Sequence, residues 1–333
     1  MSEATNVVIA CRIAHRLPLR ARAVRTPDTR CGSLRGLVCF LWLGILLLSF
    51  VLSACGGEPT ASCNAPPVTF APPAVSADHQ EVVVHFTCEG AVQAGTLYLP
   101  AGPGPHPAVI WIHGAGEARR LPWGAPLVSS FVQSGVAVFS FDKRGVGESQ
   151  GTCCPGDTGQ FNLLTADVVG AVVALASRSD IDTKHIGLIG ASQAGWIAPK
   201  VAVVAPHVAF VALASATPLT ERQTNLYERL AGGEQGQLSK AEISQRLKNN
   251  GPAGFDPLPD LKQMSAPSLW LFGSEDDRVP VDESVAVLNG LKAEGKDITI
   301  EVFAGAGHGL LDVPPSDPKA LPTMVSWIMK QVH

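Results

Sequence analysis

The chain has 333 residues, of which 16% are charged and 46% hydrophobic, and a formal net charge of −4. With a mean hydropathy of +0.20, it can bury a large core and lacks the charge excess of a disordered or nucleic-acid-coating chain. No internal repeat is present, and no Cys/His spacing matches a zinc site, so no metal site is expected.

Residues 1–54 hold seven arginines, no lysine, and only Glu3 and Asp28 as acids. An apolar run over 37–52 follows, then Leu52-Ser53-Ala54-Cys55. A basic segment, an apolar run and a small-residue junction make a secretory signal. The run is also near spanning length, so an uncleaved anchor is the competing reading. No adjacent arginine pair precedes it, which points to general secretion. The cysteine straight after Leu-Ser-Ala resembles the lipobox of bacterial lipoproteins. That resemblance implies removal of 1–54, a lipid on Cys55 and anchoring in the cell envelope. The glycines after Cys55 resemble those of outer-membrane lipoproteins. Without 1–54 the charge balance is about −9, which argues against charge-driven binding to nucleic acid or anionic membranes and leaves anchoring to the lipid.

Residues 55–79 are rich in Pro and Ala and read as a tether; 80–333 reads as the globular domain. Beyond the signal and Cys55, four cysteines remain: Cys63, Cys88, Cys153 and Cys154. An even number in an exported domain suggests disulfides. A bridge between the adjacent Cys153 and Cys154 is strained, so these two are expected to pair with Cys63 and Cys88.

In chain order, 81–87 and 92–99 read as an antiparallel pair around Glu89-Gly90. The runs 108–113 and 135–141 are continuously apolar, as strands buried on both faces are. Residues 163–176 carry apolar residues at helical spacing. A strand at 186–190 leads into a helix at 195–204. Further strands are expected at 208–214, 268–272 and 298–303, and helices at 284–291 and 321–332. Strands alternating with helices predict an α/β architecture, a mostly parallel sheet covered on both faces. The segment 216–264 interrupts the alternation. Thr220-x-x-Gln223 and Ser239-x-x-Glu242 resemble capping boxes, each followed by apolar pairs at i,i+4, so two short helices are expected there as a small cap over the carboxyl end of the sheet.

The chemistry is concentrated at strand ends. His185 to Gly195, HIGLIGASQAG, reads as a strand, a sharp turn with Ser192 at its tip, and a small-residue helix. A serine hydroxyl needs a base to take its proton, and the base needs a carboxylate to orient it. His308, in Ala304-Gly-Ala-Gly-His308-Gly, follows the strand 298–303. Asp276, in Gly273-Ser-Glu-Asp276-Asp-Arg-Val-Pro, follows 268–272. The small-residue loop after 108–113, His113-Gly-Ala115-Gly116, can aim the Ala115 N–H at a carbonyl oxygen alongside the N–H of Gln193. Trp123 and Trp196 are candidates for the acyl pocket or the core. Arg144 is expected to tie loops together, and Asp277 to face solvent or pair with Arg278.

Together with Asp142-Lys-Arg144-Gly-Val-Gly147-Glu-Ser149, these motifs resemble the α/β-hydrolase fold, in its esterase and dienelactone-hydrolase-like branch, from about Glu81 to His333. The chain departs from the usual G-x-S-x-G in having Ala194 where the second glycine stands. The resemblance implies a serine hydrolase with Ser192, Asp276 and His308 as catalytic residues, Ala115 and Gln193 as oxyanion donors, no cofactor, and a small or medium acyl ester as substrate. A peptidase, amidase or thioesterase on the same triad is the second reading, although the absence of a propeller-sized domain counts against a prolyl-oligopeptidase version. A non-catalytic surface-binding lipoprotein is the third.

Overall fold

Short runs of β-branched and aromatic residues form the strands of one mixed sheet in the computed structural model, which describes Cys63, residues 67–154 and residues 158–333. The strands are β1 (Val68–Phe70), β2 (Ala74–Val75), β3 (His79–Cys88), β4 (Ala91–Pro100), β5 (His106–Ile112), β6 (Ala137–Phe141), β7 (Ile181–Ala191), β8 (Val208–Ala214), β9 (Ser268–Gly273) and β10 (Ile298–Phe303). Their spatial order is β1-β3-β4-β6-β5-β7-β8-β9-β10, with β2 also on β3. The pairings from β6 through β5, β7, β8 and β9 to β10 are parallel; β1, β2, β3 and β4 join antiparallel.

Residues alternate between the two faces of the sheet, so each strand feeds two cores. On β5, Ala108, Ile110 and Ile112 enter one core, and Val109 and Trp111 the other. The first core is closed by α2 (Thr158–Ala176), α3 (Ala194–Val204), α6 (Leu258–Gln263) and α7 (Val281–Ala293); the second is closed by α1 (Pro126–Gln133) and α8 (Ala320–Met329). Helices thus cover both faces, and the α/β-hydrolase arrangement expected from the sequence is present. Gly159–Ala176 is long and apolar enough to cross a membrane, but it is largely buried here as the helix that crosses back between β6 and β7.

The segment between β8 and β9 holds α4 (Glu221–Ala231) and α5 (Lys240–Asn250), each opened by a complete capping box, at Thr220/Gln223 and Ser239/Glu242. Leu230, Ile243 and Leu247 form a small apolar core between them. The cap meets the loop after β9 through Tyr227 Oη, which donates to Asp276 O at 2.9 Å, and Lys240 Nζ, which donates to Ser274 O at 3.3 Å.

Some expectations are corrected. Part of the expected tether is sheet, because β1 and β2 pair along the free edge of β3, where main-chain hydrogen bonds suffice and prolines between the short strands break no ladder. Cys63 is bonded to Cys88, with Cα atoms 5.3 Å apart, and Cys153 to Cys154, rather than the two pairs crossing. The β1–β3 pairing carries the preceding chain back toward the end of β3, where Cys88 lies. Two helices were not foreseen: α1, and α6 at the end of the 216–264 segment, where only two helices are expected. The secretion signal, its cleavage and Cys55 lie outside the described residues.

Candidate active site

At the end of β7 the chain turns into α3 through Ser192, whose φ of 54° lies in the left-handed region. A β-carbon makes that conformation costly, and here it is held by main-chain bonds: Ser192 N–H donates to Ala214 O at 3.1 Å, and Gly195 N–H to Ser192 O at 3.0 Å. Two glycines make the turn possible. A β-carbon on Gly190 would lie 2.6 Å from Ala194 Cβ, and one on Gly195 would lie 2.6 Å from Thr217 O. The first contact explains the departure at Ala194: its methyl group occupies the side of the turn that Gly190 leaves empty.

Asp276 follows β9, and His308 follows β10. His308 Nδ1 lies 2.9 and 3.0 Å from the two carboxylate oxygens of Asp276, whose side chain is fully buried. Asp276 Oδ1 also accepts from the N–H groups of Arg278 and Val279, both at 2.9 Å, so its orientation is fixed by the turn that carries it. This arrangement points the Nδ1–H of His308 at the Asp276 carboxylate, which accepts it, and leaves Nε2 as the nitrogen free to act as base. The end of β8 connects the two halves of the site. Ala214 O receives the Ser192 N–H, and the next residue, Ser215, donates its hydroxyl to His308 O at 2.6 Å.

The loop after β5 reaches the elbow as well: a β-carbon on Gly114 would sit 3.5 Å from Ser192 Cβ. This places Ala115 beside the turn that holds Ser192 and Gln193. His113 anchors the loop from beneath. Its Nδ1 accepts from Trp111 Nε1 at 3.0 Å, which leaves Nε2–H to donate to Phe141 O at 2.7 Å. Burial lowers its pKa to about 4, so the imidazole is neutral. Among the described residues, no group of three or more His, Cys, Asp or Glu is arranged to hold a metal ion.

Other residues singled out in the sequence have structural places. Arg144 forms a buried bidentate pair with Asp167 and donates to Cys88 O at 3.0 Å. Ser149 Oγ donates to Asp142 O and accepts from Ala94 N–H. Trp196 is core: it packs with Phe161 and Phe255 and donates to Leu219 O. Trp123 stacks on His79 at 3.6 Å. Asp277 is exposed, whereas Arg278 faces Glu228 rather than Asp277. Sequence reading missed Lys143, Ser215 and Tyr227. Lys143 stands inside a recognised motif, but nothing about a lysine in a polar turn signals burial.

A serine on a strained strand-to-helix turn, with an Asp–His pair at neighbouring strand ends of a two-faced sheet, belongs to the serine hydrolases of the α/β-hydrolase fold. Comparison with known proteins narrows the class. The model of the prolyl oligopeptidase family, peptidase family S9, matches residues 127–333, and the chain belongs to that family. The sequence resemblance had pointed to the esterase and dienelactone-hydrolase-like branch and away from this family. Among relatives, acylamino-acid-releasing enzyme 1 of Oryza sativa subsp. japonica is 27% identical over 238 residues, covering 68% of this chain but only 30% of that protein. The 2,6-dihydropseudooxynicotine hydrolase of Paenarthrobacter nicotinovorans is 25% identical over 275 residues, 75% of this chain and 68% of that one. Acetyl xylan esterase 1 from Thermoanaerobacterium sp. JW/SL YS485 shares the fold with a TM-score of 0.60 at 19% identity, over 80% of this chain and 89% of its own.

Proposed function

We propose that this protein is an exported, lipid-anchored carboxylesterase acting on small to medium acyl esters. The observation that carries the reading is the His308–Asp276 pair, held on the same strand-end face as the strained Ser192 turn. Ser192 Oγ attacks the acyl carbonyl while His308 Nε2 takes its proton. The negative charge that develops on the carbonyl oxygen is met by the N–H groups of Ala115 and Gln193. The tetrahedral intermediate collapses, the C–O bond to the alcohol breaks, and His308 returns the proton to the leaving oxygen. Water then attacks the acyl-enzyme with His308 as base, which releases the acid and restores Ser192. Asp276 stays ionised and stabilises the imidazolium. The compact cap and the acetyl xylan esterase neighbour favour small esters. The family match and the rice relative favour a second substrate class, N-acylated or aminoacyl amides, on the same three residues.

A fluorophosphonate probe tests the core of this reading. Wild-type protein is expected to be labelled on Ser192, and Ser192→Ala to lose both the label and at least about 10⁴-fold in kcat with its fold intact. Wild-type turnover by Ser192→Ala removes the proposed mechanism. A panel of p-nitrophenyl esters, thioesters and aminoacyl p-nitroanilides ranks the substrate classes. Cys55→Ala is expected to abolish incorporation of a labelled fatty acid that the wild-type protein takes up.

A further inference from the structure

Lys143 is an almost fully buried cation, 4% exposed, on the loop after β6. Its ammonium has three N–H donors, and each finds an acceptor: Gly114 O at 2.8 Å, Gly116 O at 3.0 Å and Gln193 Oε1 at 2.7 Å. Two of these acceptors flank Ala115; the third is the side chain of the residue after Ser192. All three bonds therefore end on the two segments that carry the proposed oxyanion donors. Among the described residues no carboxylate pairs with Lys143: Asp142, its neighbour, accepts instead from the main-chain N–H groups of Arg120 and Glu148. A buried charge without a counter-ion is costly, and a structural tie needs none. A neutral amide or hydroxyl could brace two loops at less cost.

We infer that Lys143 is a positioning residue for catalysis, whose ammonium fixes Ala115 and Gln193 at the spacing an oxyanion needs and whose unpaired charge favours negative charge there. The inference rests on reading the site as a serine hydrolase. Only the charged form satisfies all three acceptors, since a neutral amine offers two N–H groups. Burial lowers the Lys143 pKa to about 8, so the brace weakens on the alkaline side. The other ionisable groups around it are His113 on the β5 loop, neutral at this pH; Asp142 and Arg144 on its own loop; and Asp167 on α2, which Arg144 engages.

The test uses the full chain and p-nitrophenyl acetate or butyrate, with the Ser192→Ala rate subtracted as background. In the wild type, kcat/KM is expected to fall on the alkaline side with a midpoint near 8. Lys143→Met, which keeps the length and loses the charge, is expected to lower kcat about 10–100-fold, with KM changed less than about twofold and no alkaline fall. Lys143→Arg, whose charge does not titrate in this range, is expected to recover part of kcat and to stay active to about pH 10. A Lys143→Met enzyme with wild-type kcat overturns the inference, as does loss confined to melting temperature at unchanged kcat per labelled site. If Lys143→Met does not fold, the wild-type profile decides, and a flat kcat/KM through that range overturns it. Labelled Ser192 with an indifferent Lys143 leaves the hydrolase reading standing and removes this one alone. Failure of the probe to label, with Ser192→Ala as active as wild type, removes both.

Discussion

Ala194 and Gly195 show how one methyl group changes meaning with its neighbours. Ala194 fits because Gly190 has no side chain. Gly195 stands inside α3, where alanine in its place would normally add about 1 kcal/mol of helix propensity. Here its β-carbon would lie 2.6 Å from Thr217 O and 2.8 Å from Thr217 N, and these main-chain atoms cannot swing away. The steric penalty of overpacking, about 1–3 kcal/mol, exceeds the propensity gain. Gly195→Ala is therefore expected to lower stability in urea titration and to lower kcat through displacement of Ser192. Ser192, Asp276 and His308 were legible as residues because each follows an apolar run and sits among small or turn-forming neighbours. Lys143 was not, because only the closed topology shows which loops surround it.

At the scale of elements, legibility follows how much of an element's stability is local. The helices α4 and α5 carry their start signals in the sequence, and the capping boxes form as read. Thr220 does more than cap. Its hydroxyl accepts from Gln223 N–H at 3.3 Å, and its carbonyl accepts from Thr224 N–H and from the Thr224 hydroxyl. Thr220→Ala is expected to cost about 1 kcal/mol, read as a shift in the urea midpoint at constant m. By contrast α1 has no side-chain cap and no charge in its end turns; Leu127, Val128, Phe131 and Val132 are ordered by the sheet beneath them. The strands β1 and β2 are three and two residues long and draw their order from the edge of β3, information that lies outside their own sequence.

For the whole molecule, the alternating strands and helices were readable because both sides of a buried parallel strand must be apolar. The disulfide pairing was not, since it depends on where the β3 edge brings the preceding chain. The buried imidazole of His113 also links the fold to pH. Its pKa is about 4 in the folded state against 6.5 when exposed, so between these values the unfolded chain binds a proton that the native state refuses. Stability from this group is complete above about 6.5 and is lost as pH falls toward 4, about 2 kcal/mol of it between pH 7 and 5. His79 works in the opposite sense: burial opposes its charge, but the carboxylates of Asp78 and Glu81 outweigh burial and raise its pKa. Urea unfolding at pH 7 and 5 of wild type and His113→Gln isolates the first effect, which is expected to be absent from the variant. The bond from the Tyr227 phenol to the Asp276 carbonyl has a different reach. Burial and the nearby carboxylates push its pKa up to about 12, so it stays a donor throughout this range. Lid exchange between homologous hydrolases treats the insertion as a detachable module that sets which substrates enter. In this protein the module also grips the backbone of the acid loop, so a transplanted lid without an equivalent phenol would alter turnover for every substrate, and selectivity could not be engineered there independently of rate.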